Sequence, residues 1–371
     1  GRRMFDCVAV GEILIDFTPA GFGRARAARF AQNMGGAPAN VACALARLGR
    51  KTAFIGKAGN DGFGRFCAGE LARSRVDTSG LVLSDSHNTT LAFVHLSPNG
   101  DRSFSFYRKN SADISLKESE LDMGLLGSAR ICHFGGVSLT DEPSRSATLA
   151  AVKAAKRAGA LVTYDPNYRP SLWESAEKAK EIMLGALPLA DIVKLSEEEA
   201  EFFLGTGAGD IAGALREATG RFGAKLAFVT RGAKGAATVA QGRLICSGAY
   251  GVKTVDTTGA GDCFFGGALH CVLALCDGRA QSGQQSARSG QAFGRQGGQG
   301  GQGDQLAQGG QLAQRIARIS AEEALHMLMF ANAAGSMSTA KMGALAAQPS
   351  LAAVERCMEQ EKELGAQPLM V

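Results

Sequence analysis

From residue 130 onward the sequence alternates short apolar runs with helical stretches, and few architectures accept that rhythm. "ARICHFGGVSL" leads into "SRSATLAAVKAAKRAGA", which is followed by "LVTYDP". A helical stretch around 175–187 precedes "ADIVKLS", and another at 197–204 and beyond precedes "AKLAFVT" at 224–230. This alternation predicts right-handed βαβ units, and hence an α/β fold with a mostly parallel sheet flanked by helices on both faces. Ligands of such sheets sit beyond the carboxyl ends of the strands. That rule singles out Asp16, Asp165, Asn167 and Thr230, polar residues that follow apolar runs.

Other segments depart from this rhythm. "CVAVGEILIDF" at 7–17 predicts a first strand carrying Asp16 at its end. "LAFVHLS" at 91–97 and "SFSFY" at 103–107, joined by "PNGD", predict a hairpin and so a small β-sheet apart from the main one. Within 278–314, Gly and Gln supply 22 of 37 residues, which is too little apolar surface to offset ordering entropy. The tract reads as a disordered insertion that activity does not need. The helical pattern resumes at "SAEEALHMLMFANAAGSM", where Ser320 and Glu323 have capping-box spacing. The expected domain is therefore 5–277 plus 315–371.

Composition narrows the class. With 371 residues, 45% hydrophobic and 20% charged, the chain has the balance of a soluble globular enzyme. A net charge of +5 without interleaved basic and aromatic residues gives no sign of a nucleic-acid partner. No run reaches the roughly 18 apolar residues of a membrane-spanning helix. Nine scattered cysteines without a C-x-x-C suit a reducing compartment rather than a zinc or disulfide framework. The expected location is the cytoplasm, or the plastid stroma if a transit peptide once preceded residue 1.

Two glycine motifs carry the chemistry. In "MGGAPANVACALARLG", Gly35 and Gly36 allow close backbone approach to a ligand, and Asn40 offers an amide at the start of an Ala-rich helix. In "VDTTGAGDCFFGGAL", Gly259, Ala260 and Gly261 precede Asp262 and an apolar run. Each motif has two readings. One is a glycine turn before a packed helix, with Asp262 as a cap. The other is an anion-binding helix N-terminus with a built-in base. Neither motif is a Walker loop, and no G-x-G-x-x-G follows a strand.

Together, "GGAPANVACALARLG" and "DTTGAGDCFFGGAL" resemble the two signatures of the ribokinase-like (PfkB) carbohydrate kinases. "VGEILIDF", "TTLAFVHL", "SFSFYRKNSAD", "YDPNYRPSLW" and "VKLSEEEAEFF" resemble the plant- and bacterial-type fructokinases within that family. The resemblance spans 5–277 and resumes at about 320–350.

It implies ATP-dependent phosphorylation of a sugar primary hydroxyl, most concretely fructose to fructose 6-phosphate. Asp262 matches the base, and the amides of Gly259, Ala260, Gly261 and Asp262 match an anion hole for the transferring phosphate. Asp16, Gly35, Gly36 and Asn40 match the sugar wall. Arg108, in "FYRKNSAD", matches a residue of a β-sheet lid with strands within about 17–31 and 90–108, and the resemblance implies a homodimer through that lid. Asn167 and Arg169 match contacts to substrate or phosphate. Glu199 matches a residue that holds hydrated Mg²⁺, although an acidic first helical turn explains it equally. Lys194, Thr230, Gly232, Gly235 and Asn332 match the nucleotide site, and Asp256 with Thr258 matches a monovalent cation site, K⁺ being the ion implied. Two alternatives stand beside fructokinase: a 2-keto-3-deoxygluconate or other PfkB sugar kinase, and a non-catalytic fructokinase-like scaffold of a plastid complex.

Overall fold

A computed structural model of the chain describes residues 4–22, 28–96, 102–278 and 310–363. Its main sheet has nine strands in the order β13-β12-β11-β10-β9-β8-β1-β4-β5. These are β1 (Phe5–Val10), β4 (Thr52–Gly59), β5 (Val76–Ser84), β8 (Ala129–Gly135), β9 (Leu161–Asp165), β10 (Ile192–Ser196), β11 (Leu226–Thr230), β12 (Ala236–Ala240) and β13 (Arg243–Ser247). Strands from β5 across to β11 pair in parallel, and only β12 and β13 are antiparallel. The central strands are buried along nearly their whole length, as parallel strands covered on both faces must be.

One face of the sheet is covered by the helices Ala37–Arg47, Ala260–Cys276 and Ala321–Ser338, which share a core containing Val41, Leu45, Phe265 and Leu328. The other face is covered by Ser144–Arg157 and its neighbours, through Ala147, Ala151, Val152 and Met183. The chain winds outward from β1 in both directions, to β4 and β5 on one side and β8 to β11 on the other. The direction of winding therefore reverses beside β1, and the crevice beyond the strand ends at that point is where such folds bind ligands.

A separate four-stranded sheet, ordered β3-β2-β6-β7, contains β2 (Leu14–Phe22), β3 (Ala28–Gly35), β6 (Thr90–Leu96) and β7 (Arg102–Tyr107). The expected hairpin is thus β6–β7, antiparallel from Leu91↔Tyr107 onward; its 98–101 turn lies outside the described residues.

Two expectations need correction. The run 7–17 is not one strand: β1 ends at Val10, and β2 begins at Leu14 in the other sheet. The break falls at Gly11, where a Cβ would lie 2.6 Å from the Ser138 hydroxyl and 2.7 Å from Pro38. Only glycine fits at the break, because Ser138 and Pro38 fill the space a side chain would need. The Gly/Gln tract also ends earlier than 314. Residues 310–316 are helical, with Leu312 and Ile316 buried in the same core as Phe265, so apolar residues sparse in sequence still anchor the segment. The rest of the tract, 279–309, lies outside the described residues. The capping box forms as expected: the Ser320 hydroxyl accepts from the Glu323 amide, and the Glu323 carboxylate accepts from the Ser320 amide. No helix among the described residues is long and apolar enough to cross a membrane.

Candidate active site

Close packing of helices builds the site. Gly266 lets the 260–276 helix approach the 37–47 helix so closely that a Cβ there would lie 2.7 Å from that of Ala44. Gly267 does the same against Ala331 and Ala334 on the 321–338 helix. One turn before the Gly266–Ala44 contact, on both helices, stand Asp262 and Asn40. The Asn40 amide donates to the Asp262 carboxylate at 2.8 Å. Two motifs 222 residues apart in sequence thus meet at one hydrogen bond.

Asp262 lies in the first turn of its helix, after Gly259 at φ 76°. It is buried, and burial followed by the charge of Asp165 pushes its carboxyl up to about 6 against the pull of Asn40, Lys194 and Arg169. The Lys194 ammonium comes within 3.2 Å of where a Cβ on Gly261 would stand. It is 5% exposed and pairs with Asp165 at 2.6 Å. Burial opposes its charge, but Asp165 and Glu199 outweigh burial and raise its pKa. An ammonium beside the positive end of a 17-residue helix makes a spot that favours an anion.

Asp16 sits at the sheet crossover with its carboxylate against the backbone of Gly35, where a Cβ would be only 2.2 Å away. Burial pushes its carboxyl up to about 7, opposed by Arg169 and aided by the charges of Asp262 and Asp256. Asp16, Arg169 and Asp262 thus influence one another electrostatically. Gly36, at φ 112°, leaves no room for a side chain, since a Cβ would lie 2.4 Å from the Glu12 carbonyl oxygen. The Asn40 side-chain oxygen is buried without a hydrogen-bond partner, an acceptor left over for a ligand hydroxyl.

Asn167 adopts φ 47°, and its backbone amide donates to Asp165, which closes a tight turn just before Arg169. Glu199 fulfils its capping role: its two carboxylate oxygens accept from the Ser196 amide at 2.8 Å and the Tyr168 amide at 2.7 Å. Burial and the charge of Asp165 raise its pKa against the pull of Lys194. No cluster of three or more His, Cys, Asp or Glu poised for a metal occurs among the described residues.

At the residues expected to border the nucleotide, the Thr230 hydroxyl donates to the Leu195 carbonyl, and Gly232 has φ 55° over open space. Gly235 fits beneath the Ser247 carbonyl, where a Cβ would lie 2.0 Å from the oxygen. The same carbonyl accepts from the Asn332 amide at 3.0 Å, which makes Asn332 a strut beneath this loop. Asp256 accepts from the Thr258 amide with one oxygen and from the Gly343 amide with the other, each at 2.8 Å, and so joins the turn before Gly259 to the 339–343 segment.

Arg108, expected as a lid residue reaching into the sugar site, is engaged by protein groups. Its guanidinium is buried and donates to Asp113 at 2.7 Å, to the Thr140 hydroxyl at 2.6 Å and to the Val137 carbonyl at 3.0 Å. The fully buried Asp113 carboxylate needs a cation, and Arg108 supplies it. Sequence reasoning missed the partnership of Lys194 with Asp165, and it passed over Glu12 inside the quoted "VGEILIDF". Only its position between two apolar runs marks Glu12 in the sequence.

The fold and this arrangement define a sugar kinase of the ribokinase-like class. Residues 4–297 match the pfkB family carbohydrate kinase family, to which the chain belongs. The chain is 38% identical over 350 residues to fructokinase-2 of Zea mays, covering 94% of this chain and 92% of that protein. A fructokinase from Xylella fastidiosa solved with bound ATP superposes with a TM-score of 0.78 at 30% identity, covering 97% of this chain and all of that one. A double mutant of the fructokinase from Vibrio cholerae O395, in a fructose, ADP and potassium ion bound form, gives 0.75 at 31% identity over 96% of this chain and all of that one.

Proposed function

We propose that the chain transfers the γ-phosphoryl group of ATP to the 6-hydroxyl of fructose. The observation that carries this reading is the Asn40–Asp262 pair at the helix N-terminus beside Lys194. The sugar would lie between Asp16, the Gly35–Gly36 backbone and Asn40. Asp16 accepts from its hydroxyls, and the unpartnered Asn40 oxygen is a further acceptor. Asp262 takes the proton of the attacking hydroxyl. The amides of Gly259, Ala260, Gly261 and Asp262, with Lys194 and Arg169, hold the charge of the phosphoryl group in transit. Mg²⁺, held through water by Glu199, would supply further neutralisation at the phosphates. Thr230, Gly232 and Gly235 would border the nucleotide, with Asn332 supporting that loop, and the Asp256–Thr258 turn with the 339–343 segment would hold K⁺.

The occupied guanidinium of Arg108 favours a neutral sugar over 2-keto-3-deoxygluconate, whose carboxylate would have only Arg169 to meet it. Intact glycines and base favour a kinase over a scaffold. The test is ADP release with fructose, glucose, ribose, adenosine and 2-keto-3-deoxygluconate, with Mg²⁺ present and K⁺ varied. Fructose is expected to lead in kcat/KM by at least about tenfold, with K⁺ raising the rate. No turnover on any sugar by folded, ATP-binding protein would establish the scaffold instead.

Lid pairing between two copies completes the proposal. Phe17 and Asp16 point to opposite faces of the lid sheet by strand alternation. On the face away from Asp16, Phe17 stacks on Phe93 at 4.9 Å, and Phe30 and Tyr107 pack edge-on against Phe93 while remaining 41% and 66% exposed. An exposed aromatic row on a mostly polar surface favours burial against a partner. Light scattering is expected to give a dimer that F30D/Y107D shifts to monomer. A monomeric wild type at micromolar concentration would sink this part of the reading.

A further inference from the structure

Residues 11–13 carry the chain from β1 in the main sheet to β2 in the lid, and Gly36 carries it back from β3 to the 37–47 helix. One side chain touches both crossings. Glu12 is 2% exposed, and one carboxylate oxygen accepts from the Ala37 amide, the first of the returning helix, at 3.1 Å. The other accepts from the Ser138 hydroxyl at 2.8 Å, in the turn that follows β8. That turn also receives Arg108, from the end of the lid strand β7, through Val137 and Thr140. The Glu12 carbonyl lies directly beneath Gly36, so its backbone and side chain together set the entry of the helix. Asn40 begins one turn later, its amide bonded back to the Gly36 carbonyl at 2.9 Å.

We infer that Glu12 is a positioning residue: its carboxylate clamps both lid crossings to the turn after β8 and thereby holds Gly35, Gly36 and Asn40 in the sugar wall. It touches neither sugar nor phosphate. Its effect reaches the reaction through the first turn of the 37–47 helix, and from Asn40 to Asp262. The nucleotide loop at Thr230–Gly235 stands on the far strands β11 and β12 and is independent of the clamp. The kinetic part of this inference rests on the proposed reaction, whereas the structural part does not.

Gln at position 12 can still accept from Ala37 with its oxygen while its amide donates to Ser138; Ala can do neither. E12A is therefore expected to raise KM for fructose by about tenfold while KM for ATP changes less than about twofold, and E12Q should stay within about threefold of wild type. Hydrogen exchange at the amides of Gly36, Ala37, Ala39 and Asn40 should accelerate in E12A and not in E12Q. If E12A does not fold, S138A replaces it and should shift fructose KM and exchange in the same direction by a smaller factor. Unchanged exchange in the alanine variant, equal loss toward both substrates, or E12Q as impaired as E12A would overturn the inference. A wild type inactive on fructose would refute the proposed reaction and leave exchange to decide the clamp.

Discussion

Asp262→Asn is expected to lower kcat by about 10²–10⁴-fold while leaving fold and ATP binding in place, because the amide keeps the shape of the carboxylate but cannot take the hydroxyl proton. Asn40 donates to whichever oxygen remains, so the helix contact should survive. The same base predicts a pH profile. Burial holds Asp262 up at about 6 and Asp16 up at about 7, and both act in their ionised forms, one as base and one as acceptor. Carboxyls raised in this way lose their charge as the pH falls through those values. The kcat/KM for fructose should therefore decline as the pH drops from about 7 to below 6. Full kcat in Asp262→Asn, or a flat profile down to pH 5, would remove Asp262 from the base role.

Lys194→Met should be damaging twice over. It leaves Asp165, 1% exposed, as a buried charge without its partner, a loss of about 3–5 kcal/mol in stability. It also removes the ammonium beside Gly261, for which a fall of about 10²-fold in kcat is expected. Combining it with Asp165→Asn separates the two effects. The double variant should regain most of the stability in denaturant melts and none of the activity. Recovery of both would reduce the pair to a structural salt bridge, and a stable, active Lys194→Met would rule out both roles.

Much of this was legible in the sequence. Strand–helix alternation gave the parallel sheet, because burial of both sheet faces demands continuous apolar strands separated by amphipathic helices. The β6–β7 hairpin followed from period-two alternation, and the capping box at Ser320 followed from spacing alone. The start of the 310–316 helix did not, since two apolar anchors, Leu312 and Ile316, give too little local pattern inside a Gly/Gln tract. Nor did the division of 7–17 into two strands. An unbroken apolar run looks the same whether it continues in one sheet or steps into another, and the space at the step is set by Ser138 and Pro38, residues distant in sequence.

The site divides along the same line. By itself the sequence marked the two glycine motifs, since the glycines around Asp262 and before Asn40 are local requirements for backbone approach. Only the tertiary structure decided what each side chain touches: Asn40 joined to Asp262, Lys194 to Asp165, Glu199 to two amides, and Arg108 to Asp113. The physical reason is that charge and hydrogen-bond pairing in a low-dielectric interior is settled by whichever partner packing brings within about 3 Å, and chain order carries no record of that choice.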